Sequence, residues 1–366
     1  MSLILSRLTK PRNESLLLGH KLLLLQRWSS RSLLSSCPPY FVLRNKPNGG
    51  HKIQTYIADI GYMVEWDKKV PYELLEANAT IGASRGWVAT LNSKGVVCLQ
   101  DDLNVYTSDS ADPKRISLPP ILPIRHCQTR IVTNVAMSSS SPLNDDCVVA
   151  VKFLGPQLSL CRPAHDTKWT NIRVQDPSFF TSHVIFSKRD QMFSLPASGA
   201  NHLASWDLLK HRDNPKFTKL HFHQNLPGVL GKTNNLEPCD SWCRAEHLVE
   251  SSAGEMFLVI WYRSAREDMV DLETKGFRVF RVDEGGNATY TEDIGDLCIF
   301  LSKSEPFCVP ASSFPGLERN NIYYLDSQES SFTQDVGIFG LQDSTSNHST
   351  RYTGKVPYYF PPQPMQ

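Results

Sequence analysis

Three groupings in this sequence carry the letters of a chemical site. Gly82-Ala83-Ser84-Arg85-Gly86 spells G-x-S-x-G, the pattern in which a strained strand-to-helix turn lifts a serine hydroxyl towards its base. The residues that follow, Trp87 to Leu91, read as a strand rather than a helix, so we expect a glycine-rich turn and assign no nucleophile. Gly231-Lys232-Thr233 matches the end of a phosphate-binding loop, but the pattern's leading glycine falls on Leu226. Pro227 stiffens that loop, and Asn234 to Pro238 offers no helix to follow it. Cys239 and Cys243, with His221 and His223 upstream, imitate a zinc site. Tetrahedral zinc needs ligands that grip one ion from a tight knuckle, whereas His221 and His223 stand in an alternating run and point from one strand face. Exposed histidines beside a cysteine-containing loop are expected there. No catalytic, cofactor-binding or metal-ligating residue is assigned, and no cofactor is expected.

The elements around these groupings are short strands joined by polar turns. Gly86 to Leu91 leads through Asn92-Ser93-Lys94-Gly95 into Val96 to Leu99. Cys147 to Leu154 breaks at Gly155-Pro156 and resumes at Leu158 to Leu160. His183 to Phe186 pairs across Ser187 to Asp190 with Met192 to Leu195, and His247 to Glu250 pairs across Ser251 to Gly254 with Glu255 to Tyr262. Phe277 to Val282 alternates strictly and turns at Asp283 to Asn287. β-branched and aromatic runs cornered by Gly, Asn, Asp and Ser are hairpin signatures. Helical pattern is confined to Leu203 to Lys210 and Tyr72 to Ala77. The fold class is therefore all-β, and a degenerate kelch-like β-propeller is preferred over two β-sandwiches. At about 40–45 residues per four-stranded blade, six or seven blades fit the body from residue 50 to residue 342. Asp166-Thr167-Lys168-Trp169 resembles a blade-closing Asp-x-x-Trp, and Gly285-Gly286 a single kelch-like pair. Residues 343–366 are rich in Ser, Thr and Pro and are expected to fray.

The charge balance of 38 Lys+Arg against 37 Asp+Glu hides two unlike parts. Residues 1–46 carry eight basic residues and one acid, Glu14, while the remainder is net −6. An acidic body is a poor nucleic-acid partner. The leader, rich in Leu, Ser and Arg, predicts a cleavable organellar presequence over residues 1–45, with mitochondrion ahead of chloroplast. A cationic amphipathic segment is drawn to anionic membranes and along a potential that is negative inside. Arg27-Trp28-Ser29-Ser30 offers a processing point. A secretory signal fits less well, because His20 and Lys21 interrupt the apolar run from Leu16 to Leu25. No stretch approaches the ~18 apolar residues of a membrane-spanning helix, so no integral membrane segment is expected. Nine cysteines, an odd number spread over a long chain, suggest reduced thiols rather than a disulfide framework.

Several segments taken together resemble one plant family. They are Gly86-Trp87-Val88-Ala89, Arg115 to Pro120 with its Leu-Pro-Pro turn, His247 to Glu255 and Ile294 to Leu301. Asn320 to Asp326 and Asp335 to Phe339 complete the set. The chain is similar over residues 80–341 to the domain-of-unknown-function 295 family, whose members carry a KIB-type β-propeller, often behind an F-box. That resemblance implies a recognition module rather than an enzyme. Several relatives act as ubiquitin-ligase substrate adaptors through the F-box. Here the Arg/Ser/Leu leader occupies the F-box position, so no Skp1-type partner is expected and the chain resembles an organellar branch. The expectation is a non-enzymatic mitochondrial protein that binds another protein. The alternatives are an F-box-type adaptor and a propeller enzyme acting on a small molecule in its central channel.

Overall fold

The computed structural model describes residues 36–43, 52–58, 61–71, 74, 80–106, 112–125, 131–207, 215–223, 242–265, 272–326, 334–352, 356 and 358–363. Six antiparallel-dominated sheets radiate around a common axis as the blades of a propeller. Blade 1 contains β1 (Tyr40–Leu43), β2 (Lys52–Ile57) and β3 (Tyr62–Lys69). Blade 2 is β4 (Thr80–Ser84), β5 (Trp87–Leu91), β6 (Val96–Gln100) and β7 (Arg115–Pro120). Blade 3 is β8 (Val132–Met137), β9 (Val149–Phe153), β10 (Gln157–Cys161) and β11 (Thr170–Arg173). Blade 4 is β12 (Ile185–Ser187), β13 (Met192–Pro196), β14 (His202–Trp206) and β15 (Lys216–Lys219). The outer edge of blade 5 is β16 (His221–Phe222), and its body is β17 (Cys243–Glu250), β18 (Met256–Ala265), β19 (Leu272–Val282) and β20 (Asn287–Thr291). Blade 6 holds β21 (Leu297–Leu301), β22 (Phe307–Pro310), β23 (Asn321–Asp326), β24 (Gln334–Gly340) and β25 (Thr345–Tyr352). β26 (Tyr359–Phe360) then pairs with β1 and supplies the inner strand of blade 1.

Alternation explains why the strands pack as a ring. In β9 the side chains of Val149, Val151 and Phe153 enter the cluster shared with blade 2, while Ala150 enters the cluster shared with blade 4. A strand apolar on both faces is stable only between two sheets. Each of the six blade interfaces is filled by one such cluster. The exception on β9 is Lys152, fully buried where an apolar side chain would fit. Its ammonium donates to the carbonyl oxygens of Phe153, Gly155 (2.9 Å) and Phe180 (3.0 Å). Three charge-assisted bonds offset the desolvation of a buried cation.

The hairpins read from the sequence are all present as β5–β6, β9–β10, β12–β13, β17–β18 and β19–β20. Three expectations are corrected. Leu203 to Trp206, read as helical, lies in β14, where burial against blade 3 and blade 5 overrides a local helical pattern. Of the other helical candidate only Leu74 lies among the described residues. The propeller also exceeds the 50–342 boundaries on both sides. Cys37 and Tyr40 to Leu43, placed with the leader, are core residues at no more than 5% exposure. Val356 and Tyr358 to Phe360, placed in the frayed tail, are equally buried, and β25 extends blade 6. Blade 1 thus joins the two ends of the domain. Residues 1–35, with the proposed presequence, lie outside the described residues.

The Asp-x-x-Trp and Gly-Gly signals have structural roles. Asp166 accepts the backbone N–H of Arg162 at 2.8 Å, and the Trp169 indole donates to the Pro119 carbonyl across the blade 2–blade 3 interface. At Gly286, whose φ is +83°, a Cβ would strike the Lys219 carbonyl at 2.3 Å. That close approach lets the chain cross from β15 of blade 4 to β16 of blade 5.

Candidate functional site

The inner strands frame an axis with two unlike ends. One end lies where the inner strands finish. There Glu305, on the segment between β21 and β22, reaches across the axis from blade 6. Its carboxylate accepts the Ser84 hydroxyl of blade 2 at 2.5 Å and the Phe186 N–H of blade 4 at 2.9 Å. Its own N–H donates to the Ala83 carbonyl at 2.8 Å. Ser84 in turn accepts the Met137 N–H of blade 3 at 3.1 Å. One buried carboxylate therefore ties four blades together across the axis. The supporting segment is fixed to blade 1, because Ser302 Oγ accepts the Tyr359 N–H at 3.0 Å.

This arrangement explains the G-x-S-x-G letters. Ser84 is 3% exposed and both of its hydroxyl roles are taken. Arg85 and Gly86 form a two-residue hairpin turn with φ of +50° and +89°, the geometry that favours glycine in such turns. At Gly82 a Cβ would meet the Val135 backbone nitrogen at 2.7 Å, so this glycine permits close approach of the inner strands β4 and β8. The serine holds the architecture, as its strand context predicts. The zinc-like grouping is separated by the sheet. His221 lies on β16 at the outer edge of blade 5 and Cys243 on β17 at its inner edge. His223 Nε2 pairs with Asn287 Oδ1 at 2.7 Å. Cys239 and Gly231-Lys232-Thr233 lie outside the described residues. Among the described residues no cluster of three or more His, Cys, Asp or Glu is placed to hold a metal ion, and no helix is long and apolar enough to cross a membrane. The seven described cysteines are free thiols. Burial pushes Cys37 and Cys147 up to about 11 and Cys161, Cys298 and Cys308 up to about 12, which keeps them protonated and unreactive.

The opposite end, where the inner strands begin, opens as a cleft of about 530 Å³ shared by blades 3 to 6. On its floor His183, just before β12, meets His247 of β17, with Nδ1 atoms 3.0 Å apart and ring centroids 4.7 Å apart. One ring donates and the other accepts, which requires at least one neutral ring. Burial is the main cause that pushes His183 down to about 4, reinforced by Arg263, Lys152 and Lys303. His247 is held well below its ordinary value by burial, then by His183 and Arg263. Both rings are therefore neutral near pH 7. Arg263 Nη1 donates to Asp326 at 3.1 Å, and the guanidinium lies over the Trp261 ring at 5.4 Å. Arg244 is half-exposed and stands 3.5 Å from Glu246, whose carboxylate also accepts the Gly199 N–H at 2.9 Å.

Sequence reasoning did not single out the histidine pair. Each was visible only as the start of a hairpin strand, His247 also inside a family-like segment. The two are 64 residues apart, and the packing of blade 4 against blade 5 brings them together.

Among solved structures, the chain is similar to TolB from Acinetobacter baumannii at 10% identity, covering 88% of this chain and 65% of that one, with a TM-score of 0.42. It is also similar to the Pseudomonas aeruginosa periplasmic gluconolactonase PpgL at 11% identity, covering 89% and 98%, with a TM-score of 0.39. Neither likeness carries a functional argument. No curated protein matches the chain. A family profile does: the KIB1-4 beta-propeller matches residues 63–340, a span that runs from β3 of blade 1 to β24 of blade 6, and the chain belongs to that family.

Proposed function

We propose that this protein is an organellar, most directly mitochondrial, interaction module that binds another protein through the face bearing the histidine cleft. The observation that carries the reading is Glu305. With its carboxylate bonded to blades 2 and 4 across the axis, a ligand meets the propeller at a face, and propeller faces are built from loops suited to recognition. At the cleft rim Ile131 is 46% exposed, an apolar contact beside charged neighbours, as interface patches commonly are. The organellar half of the proposal rests on the basic, acid-poor leader.

The test has two arms. A C-terminal fluorescent fusion of the full chain is compared with the same fusion lacking residues 1–34, a deletion that spares the buried β1. Mitochondrial signal that becomes cytosolic on deletion supports the leader; cytosolic signal from both overturns it. Affinity capture of the full chain, compared with an Ile131→Asp variant, reads the interaction. A partner retained by the parent and lost by the variant is expected, and a chain recovered without a specific partner defeats the interaction reading.

A further inference from the structure

The two histidines on the cleft floor share one hydrogen between their Nδ1 atoms, which lie 3.0 Å apart. Two neutral imidazoles carry one further hydrogen between them, and it sits on the Nε2 of whichever ring accepts. The ring that donates leaves its own Nε2 as a bare acceptor. The pair therefore offers one donor and one acceptor, and exchange of tautomers swaps the rings without changing that sum. Among the described residues neither Nε2 has a hydrogen-bond partner. Neither is sealed from solvent, unlike the unpartnered Nε of Arg263 in the same lining.

The charged groups around the pair are engaged. Arg263 binds Asp326, and Glu246 accepts the Gly199 N–H beside Arg244. Lys152, behind the floor, donates to three carbonyl oxygens, and Lys303 is not free either. Two of the hydroxyls are engaged as well: Thr133 donates to the Ser182 carbonyl at 3.1 Å, and Ser182 to the Pro196 carbonyl. Charge therefore does not select the occupant. What the floor holds open is an uncharged donor beside an uncharged acceptor.

We propose that the histidine pair clasps the main chain of an extended segment of the partner protein, one imidazole donating to a carbonyl oxygen and the other accepting an amide N–H. The inference rests on the interaction reading above and names the part of the partner that enters the cleft. A carboxylate would set lone pairs against the bare Nε2, and an ammonium would set hydrogens against the protonated one. A peptide chain brings both a donor and an acceptor. An α-helix spends these groups on itself, whereas an extended chain repeats them along one edge. Ile131, Leu154, Leu325 and Trp261 border the cleft with apolar surface for uncharged side chains of that segment. A volume of about 530 Å³ takes a short stretch of chain.

The experiment follows the full chain, labelled with ¹⁵N-histidine, by NMR near pH 7 as acetyl-Ala-Ala-Ala-amide is added to about 50 mM, a range that registers weak main-chain contacts. The free pair is expected to show a single Nε2 hydrogen between the two rings; a hydrogen on each Nε2 overturns the premise. The tripeptide is expected to move both Nε2 resonances saturably. Its all-ester analogue, which keeps the carbonyls and lacks the N–H groups, is expected to bind about fivefold more weakly. No shift with the tripeptide, or equal binding of the ester, overturns the clasp. Acetamide or ethanol moving the pair as far at equal concentration overturns the main chain as occupant, in favour of a side-chain carboxamide or hydroxyl. His183→Phe is expected to abolish the response of His247, and if that variant melts at a lower temperature, the parent titrations decide alone. Failure of the interaction reading shows separately, in the capture experiment.

Discussion

The two ends of the propeller axis use polar groups in opposite ways. At the Glu305 end both carboxylate oxygens are bonded to neighbouring blades, and the serine that donates to one of them also accepts from a third blade. At the histidine end the polar groups pair with one another and face a cleft. A buried polar group whose bonds are all made within the fold is architecture, and its removal is read in stability. A group that borders open volume, held by one neighbour and turned towards solvent, is read in binding. The same distinction sorts the two motifs at these ends. The letters of a hydrolase elbow fall on the end tied by Glu305, and the histidines no motif announced fall on the end that carries the cleft.

Substitutions can break this comparison, and the largest effect is expected at Glu305. Glu305→Ala leaves the Phe186 N–H buried without its acceptor and should cost about 3 kcal/mol in chemical denaturation. Glu305→Gln keeps one acceptor oxygen and should cost about 1 kcal/mol. A loss below about 0.5 kcal/mol for the alanine variant would mean that the carboxylate does not staple the blades.

Acid should act next, and at the other end. His183 is held down to about 4 in the fold and near 6.5 in the unfolded chain. The unfolded state therefore binds the extra proton between these values. The contribution of His183 is full above about pH 6.5, is lost progressively as pH falls to about 4, and changes no further below that. Because one edge of the ring meets solvent, we expect about 2 kcal/mol rather than the full linkage value. His247 adds in the same direction. Denaturation midpoints of the parent and of His183→Asn, followed from pH 7 to pH 4, should converge as the pH drops. Parallel curves would count against a neutral pair.

The smallest effect on stability sharpens the contrast. Arg244→Met removes a half-exposed cation with a long ion pair, and its unfolding free energy should change by less than about 0.5 kcal/mol. A large loss of stability would place Arg244 with the architecture and weaken the case for a binding end.

The body of the fold was legible because its blades are local. A hairpin such as β17–β18 needs only an alternating run, a Ser-Ser-Ala-Gly corner and a second run, and nothing distant alters it. The strand at Leu203 was misread because a short segment carries too few residues to separate helical from extended periodicity when packing on both faces decides. β26 pairs through two residues only, Tyr359 and Phe360, which is too little for any periodicity. Glu305 and Ser84 are 221 residues apart, and no spacing rule links them. The candidate site was therefore invisible for a physical reason: it is assembled from residues scattered over strands and turns of four blades, and none of them means anything by itself.

Blade 1 carries a consequence for the life of the chain. Its inner strand is β26 and the neighbouring strand is β1, so the ring is fastened by a clasp whose halves are among the earliest and latest described segments to leave the ribosome. Until residues 358–360 have been made, Tyr40 lacks the Phe360 ring on which it stacks and Phe41 lacks the Tyr359 ring it meets edge to face. The nascent chain is then an open series of hairpins without a circle. A ring locked through residues 358–360 cannot close while the growing chain is shorter than that.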